Sequence, residues 1–483
     1  MGLKVFRTEF EGISKDFFLR SDVDYFEIKN KLNIDNCDKL KKYITFLETG
    51  KPIEPADYEE ESENVHITVR NIVDGAFEDS SLIYINDEKA EELKNYRLQK
   101  NDFVIAISSN CGFSFYYDGR DTRNLTLSHY LARFRVNESL VNPLFLNYYT
   151  NSKTIKQYFR SVETGKTLKN LSKYYIKKMP ALIPNKLTQD QIVIQIEPIE
   201  QKIKELKNQI QPEQTIINKV FAREFGFEEN LYNELGKGMT AGTQIAENRK
   251  LRVFETDFSE FSKNKIVRFS CRFHNPPTKK LMNVLNSIET VIVKDVVTEP
   301  IHRGASPKYD PNGGIPVVKT GHLKNSFIEI SQEEFVDADF YNSSIRSQIK
   351  QHDVLIASTG KISLGKIDIL DDEQDLIADG HVSIIRINKE KCNPHFLTYF
   401  FRCVLGYFQI ERDFTGATNQ IELYADDIAN FQIPDIFLDR QQQIVDEIEA
   451  KLNEQEKVKQ AIAEERNKID ELIENSIDSN SSH

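Results

Sequence analysis

The sequence predicts an α+β protein of two similar globular units, each followed by a long helix, with the two helices packed on one another. Three observations carry that reading: an internal duplication, a strands-first and helix-late order in each copy, and an Ile/Leu repeat of coiled-coil period behind each copy. The duplication runs at an offset of 251 residues. Asp102-Phe103-Val104-Ile105-Ala106 returns as Asp353-Val354-Leu355-Ile356-Ala357, and Asn142-Pro143-Leu144-Phe145 returns as Asn393-Pro394-His395-Phe396. Thr164-Gly165 returns as Thr415-Gly416, Ile183-Pro184 as Ile433-Pro434, and Gln189-Asp190-Gln191-Ile192-Val193 as Gln441-Gln442-Gln443-Ile444-Val445, with slips of one or two residues. Two copies in one chain imply a grip on something two-sided.

In the first copy, β-rich runs at 65–69, 103–107 and 130–136 precede a helix expected over 143–159. The second repeats the order with runs at 315–318, 354–357 and 382–387 and a helix over 394–410. The first long helix is expected to start at a capping box of Thr188 and Gln191, stapled by Leu187 and Ile192. Behind it Ile192, Ile196, Ile199, Ile203, Leu206 and Ile210 step by fours and threes, the spacing of a coiled-coil seam. Pro198 is expected to kink this helix and Pro212 to bend or break it. The second long helix, with Asp439 as its expected cap, carries Ile444, Ile448, Leu452, Val458, Ile462, Ile469, Ile473 and Ile477. The expected organisation is a first unit over 1–185, helix 186–225, linker 226–250 with Gly226, Gly236, Gly238 and Gly242, a second unit over 251–437, helix 438–477 and tail 478–483.

The 483 residues are 39% hydrophobic and 29% charged, which suits globular units with much exposed helical surface. No apolar run approaches the ~20 residues of a membrane span, and Met1-Gly2-Leu3-Lys4 opens no secretory signal, so a cytoplasmic protein is expected. Cys37, Cys111, Cys271, Cys392 and Cys403 are scattered and read as reduced thiols. The net charge of −12 argues against a chain that holds nucleic acid by itself. Acid is concentrated over 439–478, whereas 153–186 is basic.

Several motifs approach a chemistry and miss it. Gly360-Lys361-Ile362-Ser363-Leu364-Gly365-Lys366-Ile367 has phosphate-loop spacing, but Ile367 stands where magnesium needs a hydroxyl. A Gly-rich turn is the expected reading. Asn275-Pro276-Pro277-Thr278 resembles an amino-methyltransferase motif without its stacking aromatic, and is expected to be a proline turn. His66, His129, His302, His322, His352, His381 and His395 lack metal-ligand spacing, so no metal site and no catalytic residue is expected. What remains is two sets of polar loop residues of the types that read base edges and phosphates. The first is Arg70, Asn71, Ser108, Ser109, Asn110, Arg120, Arg123, Lys166 and Lys169. The second is Arg303, Ser306, Lys308, Lys319, His322, Lys324, Ser358, Lys361, Asn419 and Gln420. A cytosolic scaffold with duplicated protein-binding heads is the alternative.

Taken as an arrangement, these pieces resemble the specificity subunit of type I restriction-modification systems. The likeness rests on Thr415-Gly416-Ala417-Thr418-Asn419-Gln420 leading to Ile433-Pro434, then Leu438-Asp439-Arg440-Gln441-Gln442-Gln443-Ile444-Val445, and on Gly304-Ala305-Ser306-Pro307 leading to Gly314-Ile315-Pro316-Val317-Val318. The first copy carries Thr164-Gly165-Lys166-Thr167-Leu168 in place of the Asn-Gln version. The resemblance implies two target recognition domains, each reading one half of a bipartite asymmetric sequence in double-stranded DNA. It implies that the long helices pack antiparallel as a spacer. It implies no cofactor in this chain, with S-adenosylmethionine, ATP and Mg on two modification subunits and on restriction subunits.

Overall fold

The computed structural model describes residues 23–32, 34–35, 37–165, 168–228, 255–262, 269–274, 276–417 and 420–481. The chain divides into two units: Met1–Gln209 with Val458–His483, and Ile210–Lys457. These differ from the expected boundaries because each unit includes part of the final helix, Leu438–Ser481.

In the first unit the strands Ile44–Thr49, Leu131–Val136, Asp102–Ala106 and Ser114–Tyr117 form an antiparallel sheet in that order. A second sheet orders Tyr58–Glu59, Ile83–Ile85, Asn64–Ile67 and Asn124–Leu127, the last pair parallel. The second unit repeats the first topology, but in its second sheet the fourth strand, Gln348–Ile349, pairs with the parallel partner Leu376–Ala378, whereas Tyr58–Glu59 pairs with Ile83–Ile85. His302–Arg303, Val382–Ile385, Val354–Ala357 and Ile367–Ile369 form its antiparallel sheet, and Ile315–Val318 pairs parallel with Leu376–Ala378 in the other. All of Asp102–Ala106 and Val354–Ala357 is buried, so Phe103–Ala106 and Val354–Ala357 read as continuous apolar runs.

The helices expected over 143–159 and 394–410 are each two helices: Pro143–Asn151 with Lys153–Val162, and Pro394–Arg402 with Val404–Asp413. Their Asn-Pro starts have one physical cause. Asn142 Oδ1 accepts from the N–H of Leu144 and Phe145, and Asn393 Oδ1 from those of His395 and Phe396, while the proline sits where no N–H is needed. The repeated glutamine belongs to the same device. Gln189 Oε1 accepts from Asn142 N–H at 2.7 Å, and Gln441 Oε1 accepts from Asn393 N–H at 2.7 Å.

The first long helix departs from expectation. It starts at Lys186 with Asn185 as cap, whose Oδ1 accepts from Thr188 N–H at 3.1 Å, so Thr188 lies in the first turn and is not the cap. Leu187 is 69% exposed and staples nothing. The helix runs unbroken through Pro198 to Lys207; a new helix, Glu213–Phe225, begins behind Pro212. Val193, Ile196 and Ile203 form its buried seam, with Gln189 at its start; Ile192, Ile199, Leu206 and Ile210 are half-buried. In the final helix Ile444, Ile448, Ile462, Ile469, Ile473 and Ile477 are buried and Leu452 is half-buried. That helix reaches Ser481, so 478–481 is helix and not tail. Within the second unit, Gln211 N–H donates to Gln455, Arg223 pairs with Glu447 and Glu224 with Arg440, an antiparallel progression. Within the first, Lys202 pairs with Glu465 at 2.5 Å, Lys153 with Asp470 at 3.3 Å and Arg466 with Asp74 at 2.9 Å. Among the described residues no helix is long and apolar enough to cross a membrane. The expected linker lies outside the described residues apart from 226–228.

Burial holds the imidazole of His66, in the first unit's second sheet, down at about 4. In the unfolded chain it would charge near ~6.5. Its contribution to stability is therefore complete above that value and is lost as pH falls through 4, approaching ~3 kcal/mol. A plot of melting temperature against pH should fall between 6.5 and 4 and should flatten in His66→Gln; an unchanged slope refutes the assignment.

Candidate nucleic-acid interface

In each unit three turns meet at the Ala106 or Ala357 end of the central strand. The first follows that strand. In the first unit it is tied to a returning segment by Ser109 N–H donating to Lys169 O and Leu171 N–H to Ile107 O; in the second, by Gly360 N–H to Ile421 O and Leu423 N–H to Ser358 O. The second turn carries a histidine in both copies, His129 and His381. It is joined to the first by Ile107 N–H donating to Tyr130 O, and by Ser358 N–H donating to His381 O. The third is the returning segment itself, bridged Thr164 to Asn170, or paired as Thr415–Ala417 with Gln420–Glu422.

A glycine makes this approach possible in each copy. A Cβ on Gly50 would lie 2.2 Å from Leu127 O, and one on Gly304 would lie 2.0 Å from Ala378 O. Leu127 and Ala378 immediately precede the histidine turns and stand 251 residues apart.

The second unit's face is the more detailed. A groove of about 640 Å³ is lined by Ser306, Tyr309, Lys319, His322, Asp379 and His381, among others. Thr359 Oγ1 and His381 Nδ1 are 2.9 Å apart. Arg303 donates to Glu422 Oε1 at 2.5 Å and to Leu423 O at 2.9 Å, above the Tyr424 ring. The hydrogen bond from Arg303 holds the Glu422 carboxyl below its usual range. Lys319 donates to Glu334 at 2.5 Å, which raises its own pKa, and lies 4.7 Å from the Tyr309 ring centroid. Burial pushes the Asp379 carboxyl upward. This face is polar and amphoteric, with cations already held by carboxylates.

The expected contact residues divide on this geometry. Three are corrections, because they are buried and bonded within the protein. Asn71 accepts from Thr68 and donates to Glu78 O and Ser80 O; Ser108 donates to Lys169 O; Ser358 and Ser383 share a hydrogen bond of 2.6 Å. Arg120 is a correction of place. Asp102 pairs with Tyr117, so the Asp118–Arg120 turn lies at the strand end away from Ser109, and Arg120 is bound to Asp118. Arg123 is claimed by Asp121 and Asp79, both at 2.6 Å, Lys169 by Glu163 at 3.3 Å, and Lys324 by Glu329 at 2.7 Å. His322 is half-buried, its Nδ1 accepting from Lys319 N–H at 3.1 Å. Arg70, Ser109, Asn110, Ser306 and Lys308 are exposed, and Lys361 is half-buried with no carboxylate partner among the described residues. Lys166, Asn419 and the side chain of Gln420 lie outside the described residues.

Sequence reasoning passed over Thr359, His129, Tyr130, Tyr309, His381 and Tyr424. The recurring histidine was the available signal: His129 and His381 fall one residue off the common offset.

Two like faces on one duplicated α+β chain, each unit with a long helix behind it, define the class: a two-copy binding protein. The family model of the type I restriction modification DNA specificity domain matches residues 20–213 and 287–465, and the chain belongs to that family. DNA sequence specificity is its function, and the family's subunits supply specificity, not catalysis. Among solved structures, the S subunit of a type I restriction-modification system from M. genitalium is 12% identical, with a TM-score of 0.38, over 92% of this chain and 96% of that one. One described as the structural basis of complex assembly and conformational transition of the type I R-M system is 14% identical, with a TM-score of 0.42, over the same shares. The HsdS subunit from Thermoanaerobacter tengcongensis is 12% identical, with a TM-score of 0.32, again over 92% and 96%. Comparison with curated proteins gave no match.

Proposed function

We propose that each unit reads one half of an asymmetric bipartite target in double-stranded DNA, and that the long helices set the gap between halves and dock two modification subunits in the cytoplasm. In this reading S-adenosylmethionine, ATP and Mg belong to those subunits and to restriction subunits that join them. The observation that carries it is the occurrence of the same three-turn face in both units with different side chains on it. The face's own ion pairs and the net charge of −12 fit a reader that relies on partners for phosphate neutralisation. Selection from randomised duplexes, with this chain and a modification subunit together, should enrich two short motifs at one fixed spacing. One motif, or none, overturns it.

The spacer reading has its own test. Removing one heptad from the first long helix and the facing heptad from Leu438–Ser481 takes out roughly 10 Å of helix. The selected gap should shorten by about 3 base pairs with both half-sites kept. An unchanged gap refutes the helices as the spacer.

A further inference from the structure

Three side chains of the second unit that share no motif come together at the strand end away from the candidate interface. His352 closes the turn before Asp353, with its N–H donating to Leu370 O at 2.6 Å. Asp371 follows the strand Ile367–Ile369, and His395 stands in the first turn of Pro394–Arg402, its N–H held by the cap Asn393. His395 Nε2 is 2.7 Å from Asp371 Oδ1, and His352 Nδ1 is 3.9 Å from the same oxygen. One donor atom from each residue lies within 4.8 Å of the other two. A cavity of about 250 Å³ opens beside them, lined by Asp371, His395 and Glu449 among others.

The duplication supplies an internal comparison. At the common offset His352 corresponds to Asn101 and His395 to Leu144. The strand pairs Val354 with Ile369 and Phe103 with Tyr116, which puts Asp371 in correspondence with Asp118. Asn101 and His352 share an uncommon backbone, φ +72° and φ +66°. Asparagine serves such a turn at least as well as histidine. The imidazole is therefore not required by the turn. In the first unit Asp118 is committed to Arg120, and Asn101 accepts from Tyr116 OH at 2.6 Å. In the second the same aspartate faces two imidazoles.

We propose that His352, Asp371 and His395 bind a divalent cation of the zinc class. Two imidazole nitrogens and one carboxylate oxygen, with no thiolate, suit Zn²⁺ and its neighbours better than Ca²⁺ or Mg²⁺. Bonds of ~2.0–2.2 Å at tetrahedral angles set donor atoms about 3.4 Å apart. The 3.9 Å separation needs a small closure, and the 2.7 Å hydrogen bond opens as the ion takes the proton's place between His395 and Asp371. Water or Glu449 completes the shell from the cavity. The ligands come from a turn, a strand end and a helix start, so the ion braces the second unit. It is independent of DNA reading.

The test uses the full chain stripped of metal with a chelator and then titrated with ZnCl2, read by calorimetry and by metal content after gel filtration. The expected result is one tight equivalent and a melting temperature raised by roughly 5 °C at saturation. The double variant His352→Asn with His395→Leu installs the first unit's residues and should lose the equivalent and the shift, while His129→Asn keeps both. Asp371→Asn gives the same readout should the double variant fail to fold. No binding by the folded chain, or binding that survives the folded double variant or Asp371→Asn, overturns the site.

Discussion

Asp102→Ala is expected to destabilise the first unit by about 3–5 kcal/mol, the cost of taking a buried acid away from the buried Arg133 and the half-buried Arg135. Asp102 is fully buried. It binds Arg133 at 3.2 Å and Arg135 at 2.5 Å and accepts from Gln99 N–H at 2.9 Å. Arg133 is itself buried; Glu48 and the carbonyls of Arg97 and Asn95 take its remaining donors. The second unit carries the same arrangement. Asp353 takes two hydrogen bonds from Arg386, at 2.9 and 2.7 Å, and one from Lys350 N–H at 2.8 Å. Asp353→Ala should therefore show a loss of similar size, slightly smaller because Arg386 keeps more contact with solvent than Arg133. Calorimetry of the full chain should register a fall in melting temperature of roughly 10 °C for Asp102→Ala. A change below ~1 kcal/mol would show that the network contributes specificity and little stability.

Gly304→Ala is expected to cost about 3 kcal/mol or more, or to displace the turn that bears His381. The added methyl would meet backbone at 2.0 Å from Ala378 O and 2.5 Å from Asp379 O, and backbone cannot rotate aside as a side chain can. Because that turn contributes Asp379, Gly380 and His381 to the groove, the effect on recognition should be one-sided. Target selection should blur in one half-site and keep the other; Gly50→Ala should blur the opposite half. Loss of both half-sites from either single change, in protein that still folds, would count against separate readers.

The repeated motifs were legible because each answers a local demand. Asn142 and Asn393 cap their own helices, and the strands are apolar throughout at 103–106 and 354–357 because both faces are covered. What the motifs share was less legible. Gln189 and Gln441 look like ordinary helix-start residues in the sequence, yet each receives a hydrogen bond from an Asn-Pro segment nearly fifty residues upstream. The capping box expected at Thr188 does not form for a related reason: Asn185, three residues earlier, already offers the cap oxygen.

Sequence alone determined the duplication, the two long helices and their period, since periodic burial and capping act over a few residues. Only the tertiary structure decided which polar residues are free to meet a ligand. Asn71, Ser108 and Ser358 carry the right groups but spend them inside the fold, and Arg303 and Arg123 are bound by acids far along the chain, at Glu422 and Asp79. The same holds for His352, Asp371 and His395, whose separations along the chain match no ligand spacing. Loop partners are set by where strands return, and no local period encodes that.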